Sequence, residues 1–486
     1  MNKTLKFFYE ISKIPRESGN EENIAKYLCE FAKKRNLYYR KDEYNNVIIK
    51  KQTSNNSPII LQAHMDMVCE KDEESKINFK KDGIEIIEED GYLLAKGTTL
   101  GADNGIGVSQ ILNILDSDIK TNIEAIFTVS EETTMIGAEK IDLSDINAKQ
   151  MINLDGFEEE TIIIESAGFF DIVLNNNYIT KNKIIEKIYK IKLKGLEGGH
   201  SGFDINKNKG NSNILLAQLL KNIKDLEIIN FIGGTKFNVI PSSAECIFSC
   251  NDDIVSLRRI VDIFLNSYIT EYSNLEILLE EVNLEEYVRL NNKLNSKEVD
   301  EDKSIYQNKD SKEIEVEILD KEDSKKFINS ILSFKNGVFC KNEREEITTS
   351  MNLGIIDFKS MKIGMRSSRI NEQESCLEYL KQYANDNNLE FIILGSQPGF
   401  ETKEDSQLVK KLKKSYEKIE VDKKPNIKAV HITVEAGFFK QKIKDLEVAI
   451  ISPKILNAHT TKECVDIDSV KKCDKWLLEV LKNGNI

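Results

Sequence analysis

The chain has only four histidines, His64, His200, His431 and His459, so each can be weighed singly. His64-Met65-Asp66 follows an apolar run at residues 59–61. Residues two apart on a strand face one side, so this is either an imidazole–carboxylate pair or a chance pairing at a strand end. Glu131-Glu132 follows a second apolar run, 123–129, and taken alone is a solvated edge. Asp155 follows a third, 151–154, and alone is a turn residue before Gly156. His459 comes after a fourth, 448–451, in Asn457-Ala458-His459-Thr460-Thr461. Asp103 sits in the glycine-rich segment 97–107, at the start of a helical pattern. That loop has three readings. Phosphate binding fits poorly, because no Gly-Lys-Ser/Thr is present and Asp103 would oppose an anion. Asp103 and Asn104 could cap a helix. Or the glycines hold the Asp103 carboxylate against a cation.

Taken together, these segments each put a histidine or carboxylate just past a strand end or at the helix start that follows. In open α/β sheets, sites gather at that edge. Two imidazoles with three or four carboxylates suit a pair of zinc ions sharing a bridging carboxylate. Two metals about 3.5–4 Å apart polarise a carbonyl and deliver hydroxide. A carboxylate not committed to metal would carry the proton.

The elements that must position them alternate along the chain. Residues 21–33 have helical spacing of Ile24, Tyr27, Leu28 and Phe31, and 105–115 has Val108, Ile111, Leu112 and Leu115 on one face. With the buried-strand runs between them, this predicts an α/β layer with parallel strands. From about residue 175 the pattern changes to α+β. Strands are expected at 188–193, 246–250, 360–365 and 390–394, and helices at 213–226, 324–334 and 372–388. The acid-rich stretch 280–323 reads as an exposed insertion or linker. The first style returns near residue 399, with a helix at 407–419, a strand at 448–451 and a final helix at 469–481. The fold class expected is therefore an α/β mixed sheet flanked by helices, split in sequence as 1–174 and 396–486. An α+β domain, 175–395, is inserted and could hold two related halves.

The 486 residues need two or three domains. A net charge of -13 argues against nucleic acid and anionic membrane as partners. The sequence shows no signal-peptide pattern and no spanning run, and the eight scattered cysteines read as free thiols in a reducing cytoplasm.

His64-Met65-Asp66-Met67-Val68, Gly97-Thr98-Thr99-Leu100-Gly101-Ala102-Asp103-Asn104-Gly105, Gly198-Gly199-His200-Ser201-Gly202, Asn238-Val239-Ile240-Pro241 and Asn457-Ala458-His459-Thr460, in that order, resemble the M20 metallopeptidases. Within them the chain is most similar to the aminoacyl-histidine dipeptidase branch. The resemblance covers nearly the whole length. It implies a zinc-peptidase-like fold whose inserted domain is a lid, and two Zn2+ per chain with Mn2+ or Co2+ as substitutes. His64 and Asp155 would bind one metal, Glu132 and His459 the other, and Asp103 both. Asp66 would orient His64, and Glu131 would be general base and then general acid. His200 would stabilise the oxyanion, while Asn238 and Arg366 would hold the substrate's C-terminal carboxylate. Asp155, near the substrate amine, would favour unblocked N-termini. The segment His431-Ile432-Thr433-Val434-Glu435-Ala436-Gly437 departs from the family pattern at Ile432, Thr433 and Ala436. Its His431 and Glu435 read as supporting structure and Gly437 as a backbone contact to substrate. The resemblance further implies a small-peptide substrate, a cytoplasmic dipeptidase and a homodimer. A tripeptidase or N-acyl-amino-acid deacylase stays open, and so does a homologue without catalysis.

Overall fold

The computed structural model describes residues 2–282 and 314–482. The chain divides into two compact units, Met1–Gly168 with Gln397–Ile486, and Phe169–Ser396.

The first unit is built on a nine-stranded mixed sheet. Its order is Tyr38–Lys41, Val47–Lys51, Ile123–Thr128, Ile59–His64, Gln150–Asn153, Glu447–Ile450, Thr161–Ser166 and Phe400–Glu401, and Asn426–Val430 also pairs with Thr161–Ser166. The centre is parallel: Ile59–His64 pairs in parallel with both Ile123–Thr128 and Gln150–Asn153, and the latter with Glu447–Ile450. Antiparallel strands flank this centre on both sides. The parallel strands are largely apolar and almost wholly buried because both faces are covered. Alternate residues go to opposite cores: Ile59, Leu61 and Ala63 meet Phe8, Leu112 and Trp476, whereas Ile60 meets Met151, Val448 and Phe439. Helices Glu22–Lys34, Ala102–Leu115, Gln407–Ile419 and Ile467–Lys482 cover the first face, and Ala436–Lys442 the second. A small four-stranded sheet contains the hairpin Ile455–Leu456 with Cys464–Asp466, whose loop carries His459.

The second unit carries another nine-stranded sheet. Its main path runs Glu276–Val282, Ile188–Lys194, Ala244–Ser249, Glu227–Gly233, Ile347–Ile356, Ser360–Ser367, Gly168–Asn176 and Leu389–Gln397. Two copies of strand–helix–strand–strand–helix–strand are legible in it. One runs from Ile188–Lys194 through helices Ser212–Leu220 and Ile254–Tyr268 to Glu276–Val282. The other starts with Gly168–Asn176, resumes at helix Lys321–Ser333 and ends, after Ile370–Asp386, at Leu389–Gln397. In both, the fourth strand lies at the edge beside the first, and the second strands meet at the join, Gly233 opposite Ile356. The first copy is thus inserted inside the second. Leu215, Leu257, Phe327 and Leu380, one from each helix, share one core.

Three expectations are corrected. The first crossing between units falls after Gly168 because residues 168–176 form one continuous strand. The helix expected to reach residue 226 ends at Leu220. The acid-rich stretch is not all insertion. Glu276–Val282 pairs along its length with Ile188–Lys194, Ile314–Ile318 pairs with Lys181–Ile185, and Lys321–Ser333 is helical. The remainder of that stretch, 283–313, lies outside the described residues.

Candidate metal centre

The parallel strands end together. His64 is opposite Thr128, and Gln62 is opposite Asn153, so the residues just past these ends converge. They are Asp66, Glu131, Glu132 and Asp155. Asp103 enters from the first turn of Ala102–Leu115, where its φ of -81° and ψ of 110° depart from helix geometry. Gly101, not Asp103 or Asn104, is the N-cap, with no side-chain capping bond. The helix-cap reading of Asp103 is therefore set aside.

Asp103 lies between the two histidines. Its Oδ1 is 3.1 Å from His64 Nε2 and its Oδ2 3.0 Å from His459 Nε2. Asp155 Oδ1 is 3.6 Å from His64 Nε2, and Glu132 Oε2 is 3.0 Å from His459 Nε2. His64, Glu131 and Asp155 offer ligand atoms within 4.8 Å of one another, as do His64, Asp103 and Glu132. All seven sequence-derived residues of this cluster are thus brought together, including His459 from a separate sheet.

The donor set fits divalent cations. Among the described residues, the ion pairs of Asp66, Asp103, Glu132 and Asp155 go only to the two imidazoles. His64 Nδ1 and Glu132 Oε1 are buried without a hydrogen-bond partner. Burial depresses the His64 ring, but the Asp155 charge and the contacts with Asp103, Asp155 and Asp66 outweigh it and hold the ring well above the usual value. Hydrogen bonds to Asp103 and Glu132 push His459 up to about 11. Burial, then the Asp155 charge, holds the Glu131 carboxyl well above the usual range. A close group of buried and half-buried acids whose charged partners among the described residues are imidazoles alone is a strong cation trap.

Supporting residues surround the cluster, and of these Glu21, Ser130, Gln62 and Asn153 were not legible in the sequence. Asp66 accepts the backbone N–H groups of Glu131 at 3.1 Å and Glu132 at 3.2 Å, so it organises the acids as well as facing His64 Nδ1 at 3.4 Å. Ser130 has a left-handed φ of 55°, and Glu21 Oε1 holds it by its N–H at 3.0 Å and its hydroxyl at 3.1 Å. Asp155 donates its N–H to Asn153 Oδ1, Asn153 donates to Gln62, and Gln62 donates to the buried Glu435 carboxyl. Burial pushes Glu435 up to about 8. Gly437 has a packing reason: a Cβ there would sit 1.9 Å from the Pro398 carbonyl oxygen, and its N–H bonds to Val434 O at 3.3 Å.

His200, Asn238 and Arg366 belong to the second unit and form their own cluster. Arg366 Nε donates to Ser201 Oγ at 3.2 Å, and Ser201 N–H donates to the Asn238 carbonyl at 2.9 Å. Gly202 N–H donates to His200 Nδ1 at 3.2 Å, which places the neutral ring's proton on Nε2. Arg366 Nη2 is 3.3 Å from that Nε2. Both are then donors, and the pair is suited to anionic oxygens. Burial and then the Arg366 charge hold His200 down to about 4.

Comparison with known proteins follows the same lines. The chain is 29% identical over 492 aligned residues to the cytosol non-specific dipeptidase of Escherichia coli K12, covering 98% of this chain and 96% of that one. Its fold matches the aminoacylhistidine dipeptidase of Vibrio alginolyticus with a TM-score of 0.82 at 27% identity, over 99% of this chain and 96% of the other. It matches the aminopeptidase PepT of Bacillus cereus with a TM-score of 0.55 at 15% identity over 99% and 98%, a likeness of fold alone. Residues 60–483 match peptidase family M20/M25/M40, and the chain belongs to that family of metal-dependent hydrolases acting on peptide bonds.

Proposed function

We propose that the protein is a zinc-dependent dipeptidase that cleaves small peptides with a free N-terminus. One observation carries the reading: Asp103 directs its two carboxylate oxygens to two different imidazoles, each with its own further carboxylate. His64 and Asp155 would hold one Zn2+, Glu132 and His459 the other, and Asp103 both. Bound there, the metals would polarise the scissile carbonyl and acidify an attacking water.

The chain's own residues do the rest. Glu131, whose carboxyl is held well above the usual range by desolvation and the Asp155 charge, takes the proton from the water and passes it to the leaving amine. Asp66 keeps Glu131 and Glu132 in place through their backbone. His200 donates its Nε2–H to the developing oxyanion. Arg366 and Asn238 receive the substrate's terminal carboxylate. Asp155 lies next to the bound amine and favours an unblocked one. The full-length likeness to proteins named as dipeptidases supports this substrate class. The name of the Escherichia coli relative supports a cytosolic setting, and among the described residues no helix is long and apolar enough to cross a membrane. A homodimer belongs to the same proposal, and sedimentation would test it.

The deciding assay is a substrate panel of free dipeptides, an N-acetylated dipeptide, a tripeptide and an N-acetyl amino acid. Each is run with chelator and after Zn2+ is restored. Cleavage of free dipeptides alone, lost on chelation and regained with Zn2+, is expected. Preference for the tripeptide or the N-acetyl amino acid would replace the substrate while keeping the metal centre.

A further inference from the structure

The glycine-rich loop is an anion nest, and the chain fills it from within. Glu463 is buried, with Oε2 accepting the N–H groups of Leu100 at 2.8 Å and Gly101 at 2.9 Å and Oε1 accepting that of Asp103 at 3.2 Å. Arg16, only 2% exposed, grips the same loop by its carbonyl side, donating Nη2 to Gly101 O. Its Nη1 donates to the carbonyls of Met65 at 3.3 Å and Asp66 at 3.1 Å. Gly101 is therefore held at both its N–H and its C=O. The guanidinium fits because two side chains are missing. A Cβ on Gly101 would lie 2.4 Å from Arg16 Nη2, and one on Gly105 would lie 2.7 Å from it.

Arg16 and Glu463 form no direct ion pair among the described residues, since the loop runs between them. Two buried charges facing backbone dipoles cost more than apolar packing would. What they secure is geometry. Arg16 reaches the segment after His64, Glu463 lies four residues past His459, and the loop between them carries Asp103.

We propose that Arg16 and Glu463 are positioning residues, a buried clamp that holds loop 100–103 so that Asp103 reaches both histidines and the metal pair is retained. Both act through the backbone; neither hydrogen-bonds the side chain of a candidate ligand among the described residues. The inference rests on the two-metal reading above.

The test measures metal directly. Full-length parent protein, Glu463→Gln and Arg16→Lys are stripped, reloaded with Zn2+, and titrated against a chromophoric chelator. Co2+-loaded samples give the d–d spectrum. Gln turns an NH2 group toward the loop amides; Lys cannot reach both sets of carbonyls. Two equivalents in the parent are expected, with at least one released about 10–100-fold more readily in each variant and a changed Co2+ spectrum. Glu463→Asp, which keeps the charge, should recover part of the affinity, and it stands in if Glu463→Gln does not fold. Variants that fold less stably yet keep parent affinity and spectrum would overturn the clamp. A parent that retains no metal would instead overturn the metal-centre reading itself.

Discussion

The Asp66 carboxylate spans the turn that begins Glu131: Oδ1 accepts the N–H of Glu131 at 3.1 Å while Oδ2 accepts the Ser18 hydroxyl at 2.7 Å. Burial works against its charge, but the contacts with His64, Ser18 and Glu131 win and hold it below the usual carboxylate value. Asp66→Asn would turn an NH2 group against backbone N–H donors. Zinc affinity and kcat should each fall about 10–100-fold. Stability in urea should drop by about 1–3 kcal/mol as buried donors lose their acceptor. Unchanged turnover would remove Asp66 from the site's support.

Glu131→Gln separates proton transfer from binding. Metal content and KM should stay near those of the parent, with kcat falling about 10²–10⁴-fold. Plasma emission and steady-state kinetics on one preparation decide it. A rate near normal would move the base role to another carboxylate.

His200 offers the pH prediction. Its folded value of about 4 lies below the ordinary 6.5. The stability it contributes is therefore complete above about 6.5 and is lost as pH falls through about 4. With four histidines in the chain, nitrogen-15 NMR can follow each ring. His200 should remain the neutral Nε2–H tautomer down to about pH 5. Arg366→Met should raise its midpoint, because the guanidinium charge helps to depress it. A midpoint above 6 in the parent would contradict this geometry.

Gly91 and Gly101 separate backbone strain from lost space. Both have left-handed backbones, φ +83° and φ +69°, but nothing lies within 4 Å of a Cβ built on Gly91. Gly91→Ala should cost about 1–2 kcal/mol from backbone conformation alone. Gly101→Ala should cost roughly 1–3 kcal/mol more, because Arg16 and Met67 occupy the volume. Equal losses by denaturant melts would show that Arg16 gives way freely.

The candidate site positions were readable because chemistry followed apolar runs. His64 ends one buried strand, Glu131 and Asp155 come shortly after the ends of two others, and parallel pairing in register does the rest. Arg16, Glu21 and Glu463 were not readable. A charged residue in a polar stretch signals solvent, and their partners are backbone groups far away in sequence: Leu100 is 363 residues from Glu463. The end of strand Glu276–Val282, from Glu280 on, was misjudged for a similar reason. Its glutamates suggested an exposed insertion, yet Glu276 pairs with Lys194 at 2.7 Å and Glu280 meets Lys190 at 3.9 Å across the register. Charge complementarity between strands is invisible until the pairing is known.

The nested order of the chain sets a timetable for synthesis. The copy running from Ile188 to Val282 closes first, the copy around it closes by Gln397, and the outer sheet closes last. Strand Glu447–Ile450 lies between Gln150–Asn153 and Thr161–Ser166, so that sheet stays split until the ribosome has passed residue 450. His459 emerges later still. Domains generally fold as units while the chain is being made. A chain stopped between Gln397 and Glu447 thus carries a finished inner unit but an unfinished outer one, without His459.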